Sequence, residues 1–359
     1  MSMDANPDER PSAVATARQA FVAAVVVIAV VVTALALWKL RVVLALLLFA
    51  FTIAAAMRPG VDRLAGWRVP RAVAVLLHYL VFLGLVALFL SFVVPTLSTQ
   101  VQHALHTAQT AHSTSHGSSL KERILNAIGK HLQHLPKTGT LVSNGLTIGE
   151  KALKALAGIF FTFAVAAYWI FERDRTVDLV ASLMPRPRRK KLRDTWTLVD
   201  QKLGSFIRGE IILIAFVSVL ASVAFVLVGE PYWLLIGISA GIFEIVPVVG
   251  PLVAVVVAVG AGLTASWHTA ALAGIALLAI RLVEDYLVTP RVLGGAVGLP
   301  PLLTLVSVSV TGVLLGSFYV LLSIPLAALV ATIVDVVVRG IDPAEVEVPT
   351  VLFPAQDAE

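Results

Sequence analysis

Long apolar runs constrain the fold of this chain more than any other feature of its sequence. A helix rises about 1.5 Å per residue, so about 20 apolar residues cross the hydrocarbon core of a bilayer. Runs of this kind lie at 20–38, 42–57, 72–94, 152–171 and 211–228. The chain is 58% hydrophobic and only 14% charged, far from the composition of a soluble domain. We therefore expect an all-α fold, a polytopic bundle of transmembrane helices.

Two further apolar runs, 232–263 and 301–338, are too long for one plain span and contain residues that interrupt helices. These residues are Pro247, Gly250 and Pro251 in the first run and Gly312, Gly316 and Pro325 in the second. Residues 269–288 form one more span between the two runs. The pattern predicts a transmembrane domain over 20–338 with seven or eight crossings, and more if a broken run folds back as a hairpin.

Basic residues between the spans predict the orientation of the chain. The loop 57–71 contains four arginines, and the loop 172–210 is strongly basic and includes the run PRPRRKK. Because two spans separate these loops, both can lie on the cytoplasmic side of the plasma membrane. This orientation places the polar N-terminus, 1–19, and the acidic tail, 339–359, in the cytoplasm, and the segment 95–151 outside.

Two of the polar segments show the spacing of amphipathic helices. Apolar residues recur at helical spacing between 120 and 135 in the outer segment. They recur again in the basic loop, at Leu192, Trp196, Val199, Leu203 and Phe206. Helices with one apolar face and an aromatic anchor lie on membrane surfaces, so both segments are predicted to be interfacial.

The histidine-rich segment and the basic run PRPRRKK can each be explained by a functional site or by ordinary contact with water or lipid. Six of the eight histidines lie at 103–134 with spacings that suit a zinc or copper site or a pH sensor. No carboxylate or thiol joins them, and a solvated polar face explains the pattern better. The run PRPRRKK lacks any motif that reads nucleic acid, and it suits contact with anionic lipid. We therefore expect no metal, no cofactor and no nucleic-acid partner.

The stretch RLVEDYLVTPRVLGG, 281–295, contains the charges most relevant to function. Arg281 precedes Glu284 by three residues and Asp285 by four, so the three side chains can meet on one helical face. Charged residues inside a membrane pair with one another or line a hydrated path, and they are candidates for function. The alternative is that these charges only mark the end of the helix before Pro290.

The second candidate region is FEIVPVVGP, 243–251, which places Glu244 beside the helix-breaking residues. A broken helix frees backbone carbonyls and amides, which are tolerated at membrane depth only where protein or water satisfies them. Two interrupted helices in one polytopic chain are typical of a transporter with its binding site near the midplane. A proline kink that only improves packing is the alternative.

Several stretches resemble the autoinducer-2 exporter family of bacterial multi-pass membrane proteins, also called the PerM permease family. They are GEPYWLLIGISAGIFEIVPVVGPLVAV, RLVEDYLVTPRVLGGAVGLPPL, GVLLGSFYVLLSIPLAALV, MRPGVDRLAGWRVPRAVAVLL, FERDR and LGSFIRGE. The resemblance extends over nearly all of residues 50–337. It implies a helical bundle assembled as a homo-oligomer that exports a small solute or exchanges sodium or lithium for protons.

The resemblance also places particular residues on motif positions of the family: Pro247, Gly250, Pro251, Glu284, Pro290, Arg291 and Pro325. The chain departs from the family pattern at three positions. Glu244 replaces an Asp or Asn, Glu210 replaces a Gln, and Pro300 replaces a His. Exchange of sodium or lithium for protons would suit Glu244, Glu284 and Asp285, since a carboxylate binds either a cation or a proton.

Three classes of function remain from the sequence: a secondary transporter, an intramembrane enzyme and a membrane scaffold. The chain has no cysteine, no H-E-x-x-H motif and no P-loop, so no catalytic residue is expected. The expected function is proton- or sodium-coupled export of a small solute, with a sodium or lithium antiporter as the alternative. The expected pathway residues are Glu244, Pro247, Gly250, Pro251, Arg281, Glu284, Asp285, Pro290 and Arg291.

Overall fold

The computed structural model describes residues 13–84, 87–89, 91, 95, 99, 145–246, 249–292 and 298–348, and every regular element in these ranges is helical. This confirms the expected all-α class. In chain order the helices are α1 Ala13–Gly66, α2 over 71–84, α3 Gly145–Ser182, α4 Arg186–Leu227, α5 Trp233–Phe243, α6 Val249–Ala265, α7 Trp267–Val283, α8 Thr289–Val292, α9 Pro301–Leu315, α10 Ser317–Val320 and α11 Ser323–Val337, with a π-helical turn over Glu284–Val288. The histidines and the amphipathic stretch predicted at 103–135 lie outside the described residues.

Four helices in the described part of the chain are long and apolar enough to cross a membrane. They are Phe21–Gly66, Arg71–Phe89, Leu156–Ser182 and Arg186–Leu227. The apolar helices after residue 232 are shorter, with at most 17 residues. The chain divides into two compact units, Met1–Leu46 and Leu47–Glu359.

Helix α1 is one continuous helix, so the two separate spans expected at 20–38 and 42–57 are wrong. Lys39 and Arg41 do not end the helix because both have good helix propensity and no Gly or Pro stands between residues 20 and 57. The Arg41 guanidinium lies 4.3 Å from the centroid of the Trp38 ring, a favourable cation–π distance. The predicted cytoplasmic position of the N-terminus depended on two membrane crossings before residues 57–71. A single helix does not provide these two crossings.

The contact between α1 and α4 depends on Pro59. Proline has no N–H, so the carbonyl of Ala55 loses its partner within the helix. The Arg208 guanidinium of α4 donates instead, from Nη1 to the carbonyls of Ala55 at 3.4 Å and Ala56 at 3.2 Å. Gly204 lets the two backbones approach, since a Cβ there would lie 2.5 Å from the Ala55 oxygen. The guanidinium of Arg208 thus replaces the hydrogen bond that Pro59 removes from the helix.

The basic stretch 172–210 is almost entirely helical in the structure. It is helical except for a turn at 183–185, because α3 and α4 extend the apolar spans into the basic region. Arg173 donates from Nε to Asp200 at 2.8 Å, and Arg58 of α1 approaches Asp200 at 3.5 Å and Asp174 at 3.4 Å. These ion pairs join α1, α3 and α4.

The amphipathic stretch 192–206 is helical as predicted. It forms part of α4, where Val199 and Leu203 are buried against α1 and α11. The expected aromatic anchor, Trp196, packs on Trp169 of α3 with ring centroids 5.6 Å apart. Its apolar face is therefore covered by protein, because the neighbouring helices also extend beyond their apolar spans.

Helices α4 to α7 form the main core. Their buried apolar residues pack together: Val217, Ala221, Phe225, Tyr232, Ile236, Ala240, Ala254, Ala258, Ala273, Leu277 and Ile280. The broken run 232–263 consists of α5 and α6, with a turn after Phe243. A Cβ at Gly250 would collide with the Phe243 carbonyl. Residues seven apart in a straight helix are separated by about 10 Å, so this contact requires the chain to fold back.

The second broken run, 301–338, is also not one continuous helix. It consists of α9 and α11, which pack against each other and are joined through the short α10. Gly316 ends α9 with a φ of 106°, a conformation that glycine adopts easily. Helix α11 packs on α4, where Lys202 donates from Nζ to Thr332 at 3.2 Å. The C-terminal end of α11 therefore lies beside the basic first half of α4.

Replacing Gly204 by Ala tests the close approach of α1 and α4. The new Cβ meets backbone atoms that cannot move aside, so we expect a loss of about 1–3 kcal/mol in stability and a lower melting temperature in detergent. Gly158→Ala is the control, since a Cβ there meets nothing within 4 Å and alanine favours a helix. An equal or higher melting temperature for Gly204→Ala would contradict this contact.

Candidate functional site

Arg281, in the last turn of α7, lies among three carboxylates. Its Nη1 is 3.0 Å from Glu244 Oε2 and 3.1 Å from Glu284 Oε2. Its Nε and Nη2 lie 3.1 and 3.0 Å from the two oxygens of Asp285. Charge-assisted hydrogen bonds are strong, and a bidentate arginine–carboxylate pair also fixes the relative orientation of the two side chains. We call these four residues the Arg281 cluster.

The backbone after α7 places two of the carboxylates. Glu284–Val288 form a π-helical turn, in which the Thr289 N–H donates to the Glu284 carbonyl. Pro290 follows directly, and its ring would clash with the carbonyl four residues earlier in an ordinary α-helix. Widening the helix relieves that clash, and π-bulges often occur at functional sites.

The third carboxylate, Glu244, comes from the break between α5 and α6. Its backbone N–H bonds to the Gly241 carbonyl as α5 ends, and the fold-back of the chain at Gly250 keeps this end of α5 close to α7. Pro251 stands in the first turn of α6, where a missing N–H has little effect. Pro247 lies outside the described residues. The break between α5 and α6 and the charged end of α7 thus meet at the Arg281 cluster.

Glu210 of α4 is a further carboxylate near the Arg281 cluster. Its charge interacts with those of Glu244 and Glu284, and the structure shows no hydrogen bond or ion pair for it within the described ranges. The sequence marks Glu210 only as a departure from the family pattern. Its distance of more than 30 residues from Glu244 along the chain gives no local signal that the two would meet.

The cluster is buried on one side and open on the other. The side chains of Glu244 and Glu284 are 9% and 4% exposed, whereas Arg281 and Asp285 are 35% and 45% exposed. The cluster therefore opens at the surface of a single chain. Arg291, by contrast, is exposed and makes no ion pair within the described part of the chain.

The cluster has more acidic groups than basic ones. One guanidinium faces three carboxylates, and Glu210 adds a fourth acidic group nearby. A cation or a proton can balance the excess negative charge, because carboxylate oxygens bind both. Among the residues described, no group of three His, Cys, Asp or Glu side chains has the arrangement of a metal site. The histidine-rich segment 103–134 lies outside the described residues.

Comparison with known proteins identifies the family. The family described as "AI-2E family transporter" matches residues 26–339. The chain belongs to the AI-2E transporter family. It is 24% identical over 304 residues to "Putative transport protein YrrI" of Bacillus subtilis, covering 79% of this chain and 83% of that protein. It is 26% identical over 319 residues to "Putative transport protein MT0215" of Mycobacterium tuberculosis, covering 84% and 85%.

A third relative has a name that agrees with the resemblance seen in the sequence. "Putative permease PerM" of Escherichia coli is 24% identical over 209 residues, which are 54% of this chain and 58% of that protein. The expected family is confirmed. Its membership and the apolar helices make this AI-2E family member a membrane transporter, and the finer questions are its substrate, its coupling ion and its direction of transport.

Replacing Arg281 by Met tests whether the cluster depends on its single cation. The change leaves the buried carboxylates of Glu244 and Glu284 without a partner. We expect a loss of about 3 kcal/mol, the low end for breaking a buried pair, because Arg281 is partly exposed. Thermal unfolding in detergent measures it.

The matched control is Arg339→Met, which removes an exposed partner of Asp335 in α11. Exposed pairs contribute little to stability, so the melting temperature of this variant should change little. Equal melting temperatures for the two variants would show that Arg281 does not hold the cluster together.

Proposed function

We propose that this AI-2E family protein is a secondary transporter that exports a small solute and is driven by protons or sodium bound at the Arg281 cluster. The single observation that supports this most is the meeting of the helix break at Glu244 with the charged turn after Arg281. The excess of carboxylates in the cluster favours a cation or a proton.

The depth of the cluster supports this proposal. Helix α5 has 11 residues, so it rises about 16 Å, about half of a hydrocarbon core of about 30 Å. With the turn before α5 at one membrane surface, Glu244 at the other end of α5 lies near the midplane. Transporters bind substrates and coupling ions at this depth, at the ends of interrupted helices.

Exchange of sodium or lithium for protons is a second candidate, and the number of carboxylates favours it. Export driven by a proton needs only one group that gains and loses the proton. Here three carboxylates share one guanidinium and Glu210 lies nearby, so a cation or a proton can balance the excess negative charge. A non-transporting scaffold predicts that amide replacement of these carboxylates has no effect on flux.

Purified protein in liposomes provides the test. Vesicles loaded with sodium and a pH-sensitive dye are diluted into sodium-free buffer, so that sodium leaving in exchange for protons acidifies the interior. An imposed pH gradient with external sodium tests the reverse exchange. We expect flux with the wild-type protein and a fall to the level of empty liposomes with Glu284→Gln, because the cluster loses an ionisable group.

Asp178→Asn is the matched control, since Asp178 is 61% exposed and pairs with Arg193 away from the cluster. This variant should retain the wild-type flux. Circular dichroism and gel filtration check that each variant is folded. Equal cation-driven flux in wild type and Glu284→Gln would remove the coupling role of the cluster.

We further propose that the protein is a homo-oligomer in the plasma membrane, with its C-terminus in the cytoplasm. Contact of α11 with the basic half of α4 at Lys202 supports this side for the C-terminus. Exposure of Arg281 and Asp285 supports oligomer formation, because charges are unfavourable towards lipid and a second copy can cover them. Light scattering in detergent should give a mass of at least two chains, and a monomer would contradict the proposal.

A further inference from the structure

Glu230 is a buried carboxyl group that the proposed pathway does not use. It lies in the turn between α4 and α5, outside the membrane-spanning helices, and is only 2% exposed. Both of its carboxyl oxygens are buried and have no hydrogen-bond partner within the described part of the chain. Buried polar groups nearly always have such partners, so this side chain needs an explanation.

The carboxyl group is held where α6 and α7 meet. A Cβ at Gly262 of α6 would lie 2.9 Å from Glu230 Oε2 and 2.6 Å from the Cα of Ala270 in α7. The turn itself is well defined, because the Glu230 N–H donates to the Phe225 carbonyl at 2.9 Å. The absence of a side chain at Gly262 thus leaves just enough room for the carboxyl group.

No opposite charge within the described residues lies beside the Glu230 carboxyl. Helices α5 and α6 contain no ionisable residue, and the charges of α4 end at Glu210, about 26 Å before its last residue. Helix α7 contains His268, which is exposed, and Arg281 at its far end. Tyr232, the other titratable group in the turn, makes no hydrogen bond to the Glu230 carboxyl.

A carboxylate in such a place is unfavourable when ionised, because burial removes its hydration and nothing replaces it. The neutral form fits, since it buries no charge. Burial raises the pKa of Glu230 to about 7. The group therefore changes its protonation near neutral pH, whereas an exposed glutamate would do so near pH 4.5.

We propose that Glu230 is a proton-binding site, separate from the Arg281 cluster and at the opposite end of α5, where α6 and α7 pack over the protonated carboxyl. Deprotonation requires water to reach the group, which means that the α6–α7 junction loosens. The site thus makes the packing at one end of the α4–α7 bundle depend on pH. It does not depend on which ion the Arg281 cluster binds.

The direction of the pH effect follows from the raised pKa. Below pH 4.5 the group is protonated in both the folded and unfolded protein. As the pH rises from there to about 7, the unfolded chain loses the proton first, so stability falls with pH. Above this range the group is deprotonated in both states, so it no longer changes the stability with pH. Glu230→Gln removes the titration and should make the melting temperature less dependent on pH.

Infrared spectroscopy of the full-length protein in lipid tests the proposal directly, since a protonated carboxyl has its own C=O band. The difference between wild type and Glu230→Gln should contain this band at pH 5.5, and the band should disappear with a midpoint near 7. Glu345→Gln, at an exposed position, should leave the band unchanged. No such band at pH 5.5, or a midpoint near 4.5, would overturn the proposal.

A second neutral variant, Glu230→Met, covers the case in which Glu230→Gln does not fold. A site that holds a neutral side chain should accept at least one of the two, and each folded variant should show a melting temperature that falls less than that of the wild type between pH 5 and 8. If neither variant folds, the site needs a charge and the proposal is wrong. The readout is independent of transport, so its failure leaves the coupling proposal unaffected.

Discussion

The attraction between one guanidinium and three carboxylates organises the candidate functional site of this transporter. Arg281 holds Glu244, Glu284 and Asp285 within 3.1 Å. Glu244 lies 37 residues before Arg281 in the sequence, whereas Glu284 and Asp285 follow the arginine within one helical turn. Without the arginine, the end of α5 and the π-helical turn would place negative charges together in an apolar bundle, which is strongly unfavourable. The cluster therefore fixes the position of the helix break.

The same rule explains the other polar contacts inside the bundle. At Pro59 and at Pro290 the interruption of the helix is accommodated by a neighbouring donor or by the local backbone. Pro59 leaves a carbonyl free and Arg208 donates to it, while Pro290 widens the helix and the resulting turn presents Glu284 and Asp285. Glu230 is different, because no partner for its carboxyl lies within the described ranges. A bound proton gives that residue the neutrality that a partner would otherwise provide.

The sequence predicts the local part of this arrangement well. The spacing of Arg281, Glu284 and Asp285 places them on one face, and the residues around Glu244 predict the helix break. It fails where the outcome depends on packing. Nothing local shows that α1 continues through Lys39 and Arg41. The approach of Glu210 to the cluster is a contact between distant residues, which helical periodicity does not encode.

The proposed transport depends on the Arg281 cluster gaining and losing a cation or a proton. Charge-displacement currents on a solid-supported membrane measure this directly, because a sudden change of pH or sodium concentration moves charge as the ion binds. We expect a transient current for the wild-type protein after at least one of these changes, and its loss in the double variant Glu244→Gln/Glu284→Gln. Identical currents in both proteins, or no current in the wild type, would contradict the proposal.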